Sequence, residues 1–126
     1  MKVLVRGRIA NFVPTFTGYL NKGVLDIGNA NEDLSLTVDT GFSGGIALPE
    51  KILNKMKIEF FGYDTFTLAT GEVTELPMFL GKVIVGTHEI KTWFIPGDSL
   101  LGMEFLSATG SLLLLNFKNQ TVQLAK

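Results

Sequence analysis

The sequence predicts an all-β fold, a closed barrel of short strands carrying two small helices. Three observations lead there. The apolar stretches are short and numerous, 14 glycines punctuate them, and only two segments carry the end signals of a helix.

Taken in order, Val3 to Ala10 reads as a first strand and Tyr19 to Ile27 as a second. Leu34 to Val38 alternates as Leu-Ser-Leu-Thr-Val, the period of two expected of a half-buried strand. Pro49 suits a first helical turn and Glu50 suits the positive end of a helix dipole, which predicts a helix running to about Met56. Phe66 to Ala69 and Glu72 to Leu76 flank Thr70-Gly71, the tip of a hairpin, because Gly71 tolerates positive φ. Lys82 to Val85 and Ile90 to Ile95 pair around Gly86-Thr87-His88. Gly102 to Thr109 predicts a second helix, with Gly110 as its C-cap. Ser111 to Phe117 and Thr121 to Leu124 close a final hairpin.

Composition narrows the function. At 126 residues, with 46% hydrophobic and 18% charged, the chain suits one compact domain over residues 1–126. A net charge of −1 leaves no basic surplus for nucleic acid or anionic membrane. The absence of cysteine removes disulfides and thiolate chemistry. Arg6 and Arg8 interrupt the apolar start, so no signal peptide is expected, and the Leu112 to Leu115 run is too short to span a bilayer. A soluble cytoplasmic protein is the expectation. The positive mean hydropathy fits a chain that buries some apolar surface against a second copy.

The segment that carries chemistry is Leu34 to Gly44, where an apolar strand runs into Asp39-Thr40-Gly41-Phe42-Ser43. The strand delivers Asp39 to a loop apex. Gly41 leaves room for backbone N–H groups to approach the carboxylate, and Thr40 has a hydroxyl to hold a neighbouring loop. Alone, Asp-Thr-Gly is also an ordinary turn. Gly44-Gly45 predicts a loose segment behind it. Downstream, Leu100-Leu101-Gly102 opens the second helix.

Other residues lean to plain roles. His88, the one histidine, reads as an exposed turn residue, and one histidine with scattered carboxylates does not make a metal site. Ser43 has no neighbouring base to activate it as a nucleophile. Trp93 and Phe94 read as strand residues packed in the core, Glu32-Asp33 as a solvated turn within the polar loop 29–33, and Glu104 as a first-turn helix charge.

The order Val38-Asp39-Thr40-Gly41, hairpin around Gly71, then Leu100-Leu101-Gly102 resembles the retropepsin-like aspartic proteases, over roughly Leu25 to Leu124. Within that family it is similar to the microbial branch with an Asp-Thr-Gly-Phe motif, which Asp39 to Phe42 matches. The resemblance implies a barrel of the acid-protease type and an aspartic endopeptidase acting on extended or unfolded peptides, with no cofactor because water is the nucleophile. Asp39 is then catalytic, with Thr40, Gly41 and Ser43 supporting it. Phe42, Thr70, Gly71 and Glu72 form substrate pocket and flap, and Leu100, Leu101 and Gly102 a structural motif. Phe42 stands where retroviral members commonly carry alanine, which implies a reshaped pocket, and no aromatic flanks Gly71.

The chemistry adds a homodimer. Two adjacent carboxylates cannot both ionise, so a dyad shares one proton, one member acting as base on water and the other as acid toward the carbonyl. Only one Asp-Thr-Gly occurs in the chain. Asp64-Thr65-Phe66 and Asp98-Ser99-Leu100 lack the glycine, so a twofold dimer must supply the second carboxylate. Two other readings stay open: a dimeric β-barrel that binds extended peptides without cutting them, and an unrelated small β-domain whose Asp-Thr-Gly is a turn.

Overall fold

The computed structural model describes residues 1–29 and 31–126; residue 30, within the polar loop read at 29–33, lies outside them. Strands hold 58% of the chain and two short helices 9%, which agrees with the mainly β fold expected. The elements are β1 (Val3–Ala10), β2 (Val13–Asn21), β3 (Val24–Ile27), β4 (Leu34–Val38), β5 (Ile46–Leu48), α1 (Glu50–Leu53), β6 (Ile58–Thr67), β7 (Val73–Val85), β8 (His88–Pro96), β9 (Leu100–Leu101), α2 (Met103–Thr109), β10 (Leu112–Asn116) and β11 (Thr121–Ala125).

The strands pair in the order β10-β11-β1-β2-β3-β7-β8-β5-β9-β4, and β4 returns to pair with β2, so seven of them form a ring. Phe16, Leu25, Ile27, Leu36, Ile46, Leu48, Val83, Val85, Phe94, Leu101 and Phe105 fill its interior, each essentially inaccessible to solvent. Burying a side chain of this size is worth about 1.5–3 kcal/mol, so this cluster is the main source of stability. The two ion pairs among the described residues, Arg8–Glu32 at 3.8 Å and Lys82–Glu89 at 3.6 Å, are solvent-exposed and add little.

Several boundaries differ from expectation. The run Tyr19 to Ile27 is two strands, because Lys22 (φ 53°) and Gly23 (φ 84°) form a two-residue turn between β2 and β3. Asn11 (φ 50°) and Phe12 (φ 66°) make a similar turn before β2. The hairpin arms are longer than predicted, since the tip at Thr70-Gly71 joins β6 to a 13-residue β7 that absorbs Lys82 to Val85. α1 spans only Glu50–Leu53, with Pro49 extended before it. Lys55 and Met56 follow with tighter i→i−3 bonds to Ile52 and Leu53. Gly110 does not take a left-handed cap conformation. It is extended (φ −134°), and an added Cβ would lie 2.8 Å from the Ala125 carbonyl oxygen and 2.9 Å from the Leu124 side chain. His88 is not a loop residue but opens β8, half-buried opposite Val85. Phe94 is fully buried as read, whereas Trp93 points to the other face and meets the edge of Phe61.

Among the described residues no helix is long and apolar enough to cross a membrane. Both chain ends lie in one sheet: Lys2 N–H donates to the Lys126 carbonyl and Lys126 N–H to that of Lys2, both at 2.8 Å.

Candidate active site

The two motifs singled out in the sequence meet. β9 lies between β4 and β5, parallel to the first through Thr37↔Leu100 and Val38↔Leu101, antiparallel to the second through Ile46↔Leu101. Thr37 N–H donates to the Ser99 carbonyl at 2.9 Å and Asp39 N–H to the Leu101 carbonyl at 3.0 Å. Asp39 is thereby held at the end of a strand whose Leu36 and Val38 are buried, with its own side chain half-exposed at the rim.

From there the chain turns sharply. Phe42 N–H donates to the Asp39 carbonyl at 3.1 Å, and Gly41 N–H donates to Asp39 Oδ1 at 2.9 Å. A Cβ on residue 41 would sit 3.3 Å from that same oxygen, so glycine keeps the approach open as the sequence suggested. With one oxygen held by the backbone, the lone pairs of the other are available to water.

The rest of the loop wraps over Gly102. Gly102 N–H donates to the Gly45 carbonyl at 2.7 Å, Met103 N–H to that of Phe42 at 2.8 Å and Glu104 N–H to that of Gly44 at 3.1 Å. These three donors belong to the first turn of α2, whose N–H groups have no intrahelical partners, so the Asp39 loop caps the helix. The approach is close: a Cβ on Gly102 would lie 2.2 Å from the Gly44 carbonyl oxygen and 2.7 Å from the Phe42 ring. Gly44-Gly45 is therefore not loose. Gly45 is buried, and a Cβ there would meet the Trp93 carbonyl oxygen at 2.2 Å and Thr92 Oγ1 at 2.7 Å.

Thr92 Oγ1 is buried behind this loop without a hydrogen-bond partner among the described residues. An unpaired buried hydroxyl costs more than it returns, so Thr92→Val is expected to raise stability by about 1 kcal/mol, read as a higher urea midpoint with unchanged slope.

Thr40 and Ser43 are exposed, and Phe42 is half-buried against Gly44 and Gly102. Thr40 also borders a shallow recess of about 220 Å³ between α2 and β10, lined by Met103, Leu106, Leu112, Leu113 and Leu124 among others. The hairpin tip is not drawn into this cluster. Leu68 N–H donates to Glu72 and Gly71 N–H to Leu68, each at 2.8 Å, and Gly71 (φ 85°) has open space around it. Thr70, Gly71 and Glu72 are all exposed.

Among the described residues no three of His, Asp and Glu converge as metal ligands would. One buried carboxylate escaped the sequence reading. Asp26, in the apolar run of β3, accepts a hydrogen bond from Asn29 Nδ2 and ties down the bend after that strand. A lone acid inside Val24–Ile27 was its only signal.

No family model, curated protein or solved structure matches this chain.

Proposed function

We propose that the chain is half of an aspartic endopeptidase of the retropepsin-like type, its ring of strands a closed acid-protease barrel, and that two copies place their Asp39 side chains about one water. The observation that carries this reading is the docking of segment 37–45, which holds Asp39-Thr40-Gly41, onto segment 99–104, which holds Leu100-Leu101-Gly102, through five backbone bonds. A plain surface turn has no need of a second strand inserted beside it, nor of an oriented, half-exposed carboxylate.

In the proposed dimer one Asp39 is ionised and takes a proton from water, while the other, protonated, donates to the scissile carbonyl. Neither could do both, because like charges so close share a single proton. Two features favour a partner at this edge. The terminal strands β1 and β11 pair with each other inside the chain, which leaves β10 as a sheet edge among the described residues, with Leu112 45% and Leu115 41% exposed. The recess between β10 and α2 adjoins Thr40, so an axis beside Asp39 also runs beside β10. A strand without charge pairs readily with its own antiparallel copy, and that arrangement is twofold by construction.

The test is digestion of an unfolded protein with and without a pepstatin-type inhibitor, across acid to neutral pH. Inhibitable cleavage with a bell-shaped pH profile is the expected result. A dimer that holds peptides but never cuts them would assign the fold to binding instead. Leu112→Lys is expected to shift the mass to that of a monomer and abolish cleavage while leaving the circular dichroism spectrum unchanged. Sedimentation equilibrium reads the first effect directly.

A further inference from the structure

We propose that the β6–β7 hairpin recruits extended peptides bearing lysine or arginine, which it selects by an aromatic strip and a one-signed charge along a free sheet edge. This rests on the peptide-cleaving reading above and names its substrate class.

Among the described residues β6 pairs with β7 alone, so its outer N–H and C=O groups face no other strand. The side chains are unusual for such an edge. Phe60 is 52% exposed, Phe61 56% and Tyr63 65%. Soluble proteins blunt long edges with lysine, proline or brevity, and ten residues with three exposed aromatics do the opposite, apart from a bulge. That bulge falls between Phe60 and Gly62 and puts Phe61 against Trp93 on the far face. Beyond it the register is regular from Tyr63↔Pro77 to Thr67↔Val73, long enough for an added strand to pair.

One face of this arm is continuous with the interior. Phe94 is in the core, Phe79 lies opposite it on β7, and Phe60 lies opposite Phe79. Tyr63 then meets Phe60 edge-on at 5.5 Å. Going outward, the same face carries Thr65 paired with Glu75. The core surface of the sheet thus runs out into solvent as a strip of aromatic rings ending at a carboxylate.

Charge decides the occupant. From Ile58 to Gly81 the chain carries Glu59, Asp64, Glu72 and Glu75 and no lysine, arginine or histidine, a net −4 in a protein whose total is −1. Neither ion pair among the described residues involves these four groups. Exposed rings attract cations through their faces, and carboxylates of one sign sum into a field that draws cationic chains and repels acidic ones. Nucleic acid and anionic lipid have the wrong sign. An extended peptide supplies the hydrogen bonds the edge lacks, apolar groups for Phe60 and Tyr63, and basic groups for the carboxylates.

The test uses the full chain with Asp39→Asn, so that binding is read without cutting. Labelled peptides of one length and one apolar content carry Lys, Gln or Glu at the variable positions, and fluorescence anisotropy gives Kd at low and high salt. The Lys peptide is expected to bind about tenfold tighter than the Glu peptide at low salt, with the gap closing as salt rises. Glu72→Gln with Glu75→Gln should shrink that gap, and Tyr63→Ser should weaken all three peptides, the Lys peptide most. Equal affinities for the three peptides, or a preference unchanged by the double substitution, overturn the proposal. Wild-type cleavage of the same set separates the two readings. Cutting without charge preference keeps the peptidase and removes this surface, whereas charge-selective binding with no cleavage at any pH keeps the surface and removes the peptidase.

Discussion

Asp39→Asn is expected to lower peptide cleavage by at least about 10³-fold while leaving fold and dimer intact. The asymmetry follows from what the side chain does locally. Its Oδ1 accepts from Gly41 N–H, and an asparagine amide oxygen accepts the same bond, so the turn keeps its shape. The carboxamide cannot take a proton from water or give one to a carbonyl. Melting temperature and sedimenting mass should match the parent, and the digestion assay alone should change. Cleavage at the parent rate would show that Asp39 is a turn residue, and the mechanism proposed here would fall with it.

The second large effect is on stability. Gly102→Ala adds one methyl group, yet that carbon would stand 2.2 Å from the Gly44 carbonyl oxygen and 2.9 Å from its carbon. Backbone cannot step aside as a flexible side chain does. Relief requires the Asp39 loop to lift away from α2, which breaks the bonds from Gly102, Met103 and Glu104 together. The expected loss is about 3 kcal/mol or more, a fall of about 10 °C in Tm. Ser43→Ala provides the contrast. It lies in the same loop but is exposed, and its stability change is expected to stay within about 0.5 kcal/mol. Thermal denaturation of the pair measures both, and equal melting temperatures for Gly102→Ala and the parent would rule out the close packing as a constraint.

What the sequence made legible follows from how far each signal reaches. Leu34 to Val38 announced a strand because alternate burial leaves a period of two, and Leu36 and Val38 are buried. The end motifs Asp39-Thr40-Gly41 and Leu100-Leu101-Gly102 were found separately, some sixty residues apart, and only their order suggested a meeting. β5 went unseen because Ile46-Ala47-Leu48 is buried on both faces and so has no alternation, and it follows two glycines that read as slack. The glycines misled for a single reason. At Gly45 and Gly110 the residue is set by atoms from distant segments pressing close, a cause that leaves no local trace, whereas the positive φ at Gly71 belongs to a turn of neighbouring residues. The hairpin was placed at its tip and undersized at its base, since Phe60 to Tyr63 lies in an unpatterned run interrupted by Gly62. Asp26 was missed because its partner Asn29 is recognisable only once the bend brings them together.

The pairing of the first strand with the last has a bearing on how the molecule comes into being. Val3 lies opposite Ala125, and Arg8 opposite Thr121, contacts that span nearly the whole chain. Parallel pairings of β3 with β7 and of β4 with β9 also join remote segments. Such a topology must surrender much chain entropy before its contacts reward it, so folding belongs to the slow regime of milliseconds to seconds. During synthesis, β1 pairs early with β2, but its other edge stays open until β11 has been made. A nascent chain of this kind passes through a long, adhesive adolescence, and the yield of native protein should depend on temperature and on chaperones that cover strand edges during that interval.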